Sequence, residues 1–145
     1  MSSLTVCVDA SLVVRLFVGP DDADVWRLWD EWATAGVAVH APALLGYEVT
    51  NALHRYHRAG FLSSDSTDLV LDAALSLPIR YEHSPVLLRH ALRLADRLGL
   101  SAAYDAQYLA VAEHLDAELW TADKRLARQA ASGPVTIRLV GPVEP

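Results

Sequence analysis

Apolar and polar positions follow one another along the chain in blocks that predict strands separated by helices. Short apolar runs predict five strands, at residues 4–8, 37–42, 79–82, 117–122 and 135–140. Stretches in which apolar residues recur every three or four positions predict seven helices, at residues 12–18, 20–36, 43–57, 63–77, 84–99, 103–115 and 123–131. Because strands keep alternating with helices, we predict an α/β fold with a mainly parallel sheet that helices cover on both faces.

Helix start and stop signals mark several of these boundaries. Asp9 and Ser11 can cap the first helix, and Gly36 can end the second. The second helix also has start signals at its front, namely Pro20, Asp21, Asp22 and Asp24. Asp9 therefore lies where the first strand ends and a helix begins.

The composition fits a single soluble domain, residues 1–145. With 52% hydrophobic residues, a chain of 145 residues can bury roughly 68% of its unfolded surface in one core. No apolar run approaches the ~18 residues that span a bilayer, and the N-terminus lacks the layout of a secretion signal. We therefore expect a cytoplasmic protein with no membrane partner. The single cysteine, Cys7, excludes an internal disulfide and a cysteine-rich zinc site.

The charge balance argues mildly against a protein that holds nucleic acid by general electrostatic attraction. The chain carries 12 basic and 18 acidic residues, which gives a net charge of −6. Acidic residues that bind divalent cations lose their repulsive effect once the cations are bound. The acidity therefore lowers the expectation of nucleic-acid binding without excluding it.

Four acidic residues lack an obvious local partner. Glu48 lies within the apolar stripe of the third helix and Asp105 opens the most apolar helix, and neither has Lys or Arg three or four positions away. Asp9 and Asp123 each follow a predicted strand, the first and the fourth. An unpaired buried carboxylate costs several kcal/mol or takes up a proton, so such positions need a helix end, a cation or a metal ion.

The four acids can share one site at the edge of the sheet, because α/β proteins bind ligands beyond the carboxyl ends of their strands. If the first and fourth strands are neighbours, Asp9 and Asp123 meet there, and the other two acids approach from helices. Hard divalent cations such as Mg²⁺ or Mn²⁺ would relieve the repulsion among them. A simpler interpretation stays open for three of the acids: Asp9 and Asp123 can cap helices, and Asp105 can favour a helix dipole.

Four segments around these acids resemble the PIN domain, and in particular the VapC-type ribonuclease toxins of prokaryotic toxin–antitoxin pairs. They are VDAS after the first strand, YEVTNAL on a helix, YDAQYLAVAE at the start of a later helix and WTADKRL after the fourth strand. Their order and approximate spacing match the family from Asp9 to about Leu126, nearly the whole chain. VDAS alone would carry little weight, whereas the four segments in sequence are specific.

The resemblance implies a fold, an activity and partners. The fold is a three-layer α/β/α arrangement, PIN-like, in which helices cover a five-stranded parallel sheet of order 3-2-1-4-5. The activity is hydrolysis of RNA with Mg²⁺ or Mn²⁺ as cofactor. The partners are an RNA substrate, a cognate antitoxin protein and a second copy of the chain in a homodimer.

The resemblance also assigns site residues. The family's acidic quartet falls on Asp9, Glu48, Asp105 and Asp123. We expect Asp9 and Asp105 to be the main direct metal ligands, and Glu48 and Asp123 to be direct or water-mediated ligands. Three polar neighbours accompany the quartet, namely Ser11, Asn51 and Thr121.

Other features have weaker interpretations. Four basic residues near the acids in sequence can contact RNA phosphates: Arg15, Lys124, Arg125 and Arg128. The last three can instead form a solvated helix face. The second helix carries a stripe of three tryptophans, a larger number than a single helix face usually buries: Trp26, Trp29 and Trp32. Part of this stripe is therefore expected to lie in an antitoxin groove or a dimer contact. His54 and His57 form an HxxH pair, for which a surface position is favoured over a zinc site because no third ligand is evident.

Three alternative functions can be weighed. A non-catalytic PIN-fold module that binds protein or RNA is the main one, and the complete acidic quartet argues against it. A phosphatase of the haloacid-dehalogenase type would need a second Asp where Ser11 lies. A receiver domain would need an Asp after the third strand, where the chain has Glu82.

Overall fold

Five strands and seven helices alternate through the described residues, 4–18 and 23–141, of this computed structural model. The strands are β1 (Thr5–Val8), β2 (Ala38–Pro42), β3 (Ile79–Glu82), β4 (Glu118–Thr121) and β5 (Ile137–Leu139). The helices are α1 (Ala10–Phe17), α2 (Ala23–Ala35), α3 (Leu44–Arg58), α4 (Ser64–Leu75), α5 (Pro85–Arg97), α6 (Tyr104–His114) and α7 (Lys124–Gln129). Each overlaps its predicted position, so the predicted alternation is confirmed.

The five strands form one parallel sheet in the order β3-β2-β1-β4-β5. β1 lies at the centre, where Cys7 is opposite His40 of β2 on one side and Leu119 of β4 on the other. This order confirms the one that the family resemblance implied. The chain runs outward from β1 to β3 and then crosses to β4, so the strand order reverses between β1 and β4, the position at which open α/β sheets bind ligands.

β1 leads directly into α1 at this position. Val6, Cys7 and Val8 are buried, as expected for a central strand covered on both faces. The Asp9 side chain then accepts a hydrogen bond from the backbone N–H of Ser11 and caps α1. α1 consequently begins at Ala10, two residues before its predicted start, and Asp9 is held at the edge of the sheet.

α6 is the most buried helix in the described ranges. Its buried residues lie on nearly all sides: Ala106, Tyr108, Leu109, Ala110, Val111 and Ala112. It contacts β1, β2 and β4 and packs along α5, whereas α1 packs against α2, α3 and α4. The apolar sequence of α6 therefore reflects burial against both the sheet and α5. Within the part of the chain that is described, no helix combines the length and apolar character needed to cross a membrane.

The three α2 tryptophans divide between the core and the surface. Trp29 and Trp32 are buried, and the Trp32 ring packs edge-to-face on both Trp29 and Trp120 of β4. Trp29 and Trp32 therefore belong to the core, and the hypothesis that part of the stripe lies in a groove or dimer contact stays a prediction for Trp26. Of the three, Trp26 is exposed. The helix start signals Pro20, Asp21 and Asp22 lie outside the described residues.

Candidate active site

Asp9 lies between β1 and α1, where the strand order reverses, and is only 5% exposed. Its Oδ1 accepts hydrogen bonds from the backbone N–H and the hydroxyl of Ser11, at 3.1 and 2.5 Å. Its Oδ2 accepts a hydrogen bond from the Thr121 hydroxyl at 2.6 Å. Because both oxygens are bonded to neighbours on two adjacent strand ends, the carboxylate has one defined orientation.

The hydroxyls of Ser11 and Thr121 also join the ends of β1 and β4. Ser11 Oγ accepts a hydrogen bond from the N–H of Ala122 at 2.8 Å, and Thr121 Oγ1 accepts one from the N–H of Asp123 at 2.9 Å. Each hydroxyl therefore donates to Asp9 and accepts from the chain just after β4. These are two of the three predicted polar neighbours, and the structure brings both of them into direct contact with Asp9.

The environment of Asp9 disfavours its charged form. Burial raises the pKa of Asp9 from 3.8 to about 6, because the ionised carboxylate loses its hydration. The hydrogen bonds from Ser11 and Thr121 act in the opposite direction, and the negative charge of Asp123 adds to the rise. Asp9 and Asp123 are thus close enough to repel each other, and a nearby cation would stabilise the ionised form of Asp9.

Glu48 reaches the same region from α3. The buried hydroxyl of Tyr108 on α6 donates a hydrogen bond to Glu48 Oε1. Burial raises the pKa of Glu48 and the bond from Tyr108 lowers it, while the charges of Asp105 and Asp123 raise it and that of Arg125 lowers it. Glu48 therefore interacts electrostatically with two of the other predicted acids.

Arg125, on the first turn of α7, pairs with Asp105 and Asp123. Its Nη2 lies 3.1 Å from Asp105 Oδ2 and 3.4 Å from Asp123 Oδ2. The other oxygen of Asp123 caps α7 by accepting hydrogen bonds from the N–H groups of Arg125 and Leu126, at 2.9 and 3.2 Å. Asp123 thus caps α7 with one oxygen, as its simpler interpretation predicts, and its other oxygen pairs with Arg125.

The four predicted acids share one edge of the sheet without forming one tight cluster. Across residues 4–18 and 23–141, no three His, Cys, Asp or Glu side chains are grouped closely enough to hold a metal ion. The Arg125 guanidinium instead offsets part of the negative charge. No basic residue lies within four positions of Asp105 in sequence, and the fold instead brings Arg125 to it from 20 residues away.

Two depressions in the surface are lined in part by Glu48. A groove of 730 Å³ runs beside α3, and three largely exposed aromatic side chains line it: Tyr47, Phe61 and Tyr104. Asn51, the third predicted polar neighbour, lines this groove rather than contacting Asp9. A smaller pocket of 190 Å³ is lined by polar side chains that include Asp105, Arg125 and Gln129. The larger groove has the character of a binding surface for an apolar segment, and the smaller one that of a polar subsite.

The remaining predicted basic contacts are spread around this edge. Arg15 of α1 lies beside Gly141, where an added Cβ would come within 3.0 Å of the Arg15 guanidinium. Lys124 and Arg128 lie on α7, on either side of Arg125 in sequence. These positions are compatible with phosphate contacts, which stay a prediction.

His54 and His57 of the HxxH motif have different surroundings. His57 uses Nδ1 to contact the carbonyl of Leu62 at 2.8 Å, and His54 is exposed, which agrees with separate surface histidines rather than a zinc pair. Tyr108, which donates a hydrogen bond to Glu48, was not among the residues predicted for the site. The available signal is its position three residues after Asp105, on the same side of a helix.

The chain is similar to known proteins over most of its length. A family model described as PIN domain matches residues 6–132. Ribonuclease VapC3 of Mycobacterium tuberculosis is 37% identical over 126 residues, which cover 85% of this chain and 85% of that protein. VapBC2 from Rickettsia felis, solved with a DNA fragment from its promoter, superposes with a TM-score of 0.75 at 13% identity, covering 95% of this chain and 100% of that chain. A toxin–antitoxin complex from Klebsiella pneumoniae superposes with a TM-score of 0.62 at 19% identity, covering 89% of this chain and 92% of that chain. At these identities the two solved structures show a shared fold.

Proposed function

The chain belongs to the PIN domain family, and from that premise we propose that it is a ribonuclease that depends on Mg²⁺ or Mn²⁺ and acts as the toxin of a toxin–antitoxin pair. The observation that supports the proposal is that four acids from separate segments influence one another at the edge where β1 and β4 end: Asp123 acts on Asp9, and Asp105 and Asp123 act on Glu48 and share Arg125. The similarity to a protein named a ribonuclease supports RNA as the substrate.

Asp9 and Asp105 are the proposed main ligands of the cation, with Glu48 and Asp123 as direct or water-mediated ligands. All four offer oxygen atoms, the donors that Mg²⁺ and Mn²⁺ prefer. Burial and neighbouring acids raise the pKa of Asp9 and of Glu48, and a bound cation would relieve this cost of ionisation. A divalent cation held here supplies a Lewis acid that acidifies water and offsets the charge of the phosphate.

The chain's own residues orient the reacting groups. Ser11 and Thr121 keep Asp9 in one orientation through their hydroxyls. We assign the orientation of the attacking water to Glu48, because it forms no ion pair among the described residues, whereas Asp105 and Asp123 pair with Arg125. Basic side chains around the site would hold the RNA backbone on either side of the cleaved bond, namely Arg15, Lys124, Arg125 and Arg128.

Removal of divalent cations is expected to abolish RNA cleavage. Without a counter-charge, the acids and the phosphate backbone repel each other and nothing offsets the charge that develops on the phosphate. Purified protein is incubated with mixed cellular RNA in EDTA and after addition of excess Mg²⁺ or Mn²⁺, and the products are separated on a denaturing gel. Cleavage that continues undiminished in EDTA would contradict metal dependence, and an intact RNA under all conditions would favour the non-catalytic binding module.

We assign the antitoxin to the 730 Å³ groove beside α3. Tyr47, Phe61 and Tyr104 expose aromatic surface there, and an apolar segment that covered them would also cover Glu48, which lines the same groove. An inhibitor bound in this way would block the acids without contacting all of them. We further propose that the protein acts in the cytoplasm as a homodimer, which sedimentation analysis would test.

Substitution of Tyr47 and Phe61 by serine is expected to weaken antitoxin capture at least tenfold while RNA cleavage changes little. Removing two exposed aromatic anchors takes away binding surface but leaves every acid in place. The tagged chain carrying Asp9→Asn is used to capture its partner from cells, with and without the serine substitutions. Serine at Leu69 and Leu75, exposed on α4, provides the matched control. Equal loss in the control, or no loss in the groove variant, would place the antitoxin elsewhere.

A further inference from the structure

Arg125 connects three polar side chains at the candidate active site. Its Nη2 contacts Asp105 Oδ2 at 3.1 Å and Asp123 Oδ2 at 3.4 Å, and its Nη1 donates to Gln129 Oε1 at 3.1 Å. Its backbone N–H also donates to Asp123 Oδ1 at 2.9 Å. The guanidinium is therefore held at the first turn of α7, facing two of the four acids.

One nitrogen serves both acids, and this limits what else can bind between them. Asp105 Oδ2 and Asp123 Oδ2 both lie within 3.4 Å of Nη2 of Arg125. A divalent cation holds its oxygen ligands at about 2.1 Å, so an ion bound to Asp105 Oδ2 would lie no more than about 5 Å from Nη2 of Arg125. Two positive charges at such a separation also repel strongly. The guanidinium and the cation are therefore alternatives.

The Arg125 side chain can leave this position without disturbing the core. Its side chain is 56% exposed, against 22% for Asp105 and 32% for Asp123. Ion pairs this exposed contribute little to stability. The next residue, Leu126, is buried and anchors α7 independently of the guanidinium. A divalent ion with twice the charge can therefore displace the side chain into solvent.

We infer that Arg125 is an internal counter-ion of the metal-free site, which pairs with Asp105 and Asp123 until a divalent cation takes its place. The inference rests on the proposed function, because it assumes that the cation binds these acids. Arg125 then lowers the affinity of the site for the cation and limits the repulsion between the carboxylates when no cation is bound. In the metal-free site it acts through the acids, as a positioning residue.

Arg125→Gln is expected to bind Mn²⁺ roughly three- to tenfold more tightly than the natural chain, because the competing charge is gone. Arg128→Gln is the matched control, since it makes the same charge change on the same helix and has no contact with the acids among the described residues. Calorimetric titration with Mn²⁺ gives the affinities.

The outcomes separate this inference from the proposed function when RNA cleavage by the natural chain is measured in parallel. Metal-dependent cleavage together with an unchanged or weaker Mn²⁺ affinity in Arg125→Gln would overturn the inference alone. Equal tightening in Arg128→Gln would also overturn it, because the effect would then be one of net charge. Tighter Mn²⁺ binding in Arg125→Gln without any RNA cleavage would support the counter-ion and remove the ribonuclease proposal. Absence of Mn²⁺ binding in all three proteins would overturn both.

Discussion

Asp9→Asn is expected to lower the rate of RNA cleavage by roughly a thousandfold or more while the chain stays folded. Asparagine has the size of aspartate but not its negative charge, so it can fill the space between Ser11 and Thr121 without attracting a cation. Several kcal/mol of charge stabilisation at the phosphate depend on that cation, and each 1.36 kcal/mol corresponds to a factor of ten in rate.

The measurement compares initial rates on one RNA preparation under saturating Mg²⁺. Asp116→Asn is the matched control, because it makes the same chemical change at an exposed residue in the turn before β4, at the opposite end of that strand from Asp123. Circular dichroism and thermal melting establish that both variants are folded. Cleavage by Asp9→Asn at more than a tenth of the natural rate would mean that Asp9 is not a metal ligand in the reaction.

The stability of the metal-free protein is expected to fall as the pH rises through the titration of Asp9. The pKa of Asp9 is raised from 3.8 to about 6 in the folded chain, so between these values the folded state binds a proton that the unfolded state has released. Folding is then favoured at the acidic end of this range, and the advantage is lost as the pH approaches and passes 6. The full effect of this one group is about 3 kcal/mol.

Comparison with Asp9→Asn isolates this group from the others that titrate in the same range. Relative to the natural chain, the asparagine variant is expected to become more stable by about 2 kcal/mol between pH 4 and pH 7.5, since it cannot ionise. Urea unfolding in EDTA at several pH values provides the free energies of unfolding. Asp116→Asn is expected to show no such trend. A difference between Asp9→Asn and the natural chain that stays within 1 kcal/mol over this range would mean that burial of Asp9 does not disfavour its charge.

The strands and helices were predictable because the periodicity of apolar residues records which faces are buried. β1 reads as a continuous apolar run because it is covered on both faces at the centre of the sheet. The strand order was not available from periodicity, which contains no information on which strands are neighbours. It came from the resemblance of four segments to a family, and the structure confirms it.

The acids of the site were predictable from their unusual surroundings, but their partners were not. Asp9 is notable in sequence because a charge follows an apolar strand, and it is indeed buried. The contact between Arg125 and Asp105 joins residues 20 positions apart, through a long side chain whose direction depends on the packing of α6 and α7. The hydrogen bond from Tyr108 to Glu48 joins two helices 60 residues apart in sequence. Local spacing rules do not reach such pairs.

The tryptophans of α2 show a different limit of sequence reasoning. Three large rings in seven residues suggested an excess over what one helix face can bury. The structure accommodates two of them because Trp120 of β4 offers an edge-to-face partner to Trp32, which in turn packs on Trp29. The capacity of a core to take up aromatic rings depends on such partners, which come from distant parts of the chain.

Sub-stoichiometric Mn²⁺ added to ¹⁵N-labelled protein tests most directly whether the four acids share a cation, because the paramagnetic ion broadens the amide signals nearest to it. We expect selective broadening at Asp9, Glu48, Asp105 and Asp123, and unchanged signals at the acidic residues of α4, namely Asp65, Asp68 and Asp72. Broadening at α4 with sharp signals at the four site acids would contradict a shared metal centre at the junction of β1 and β4.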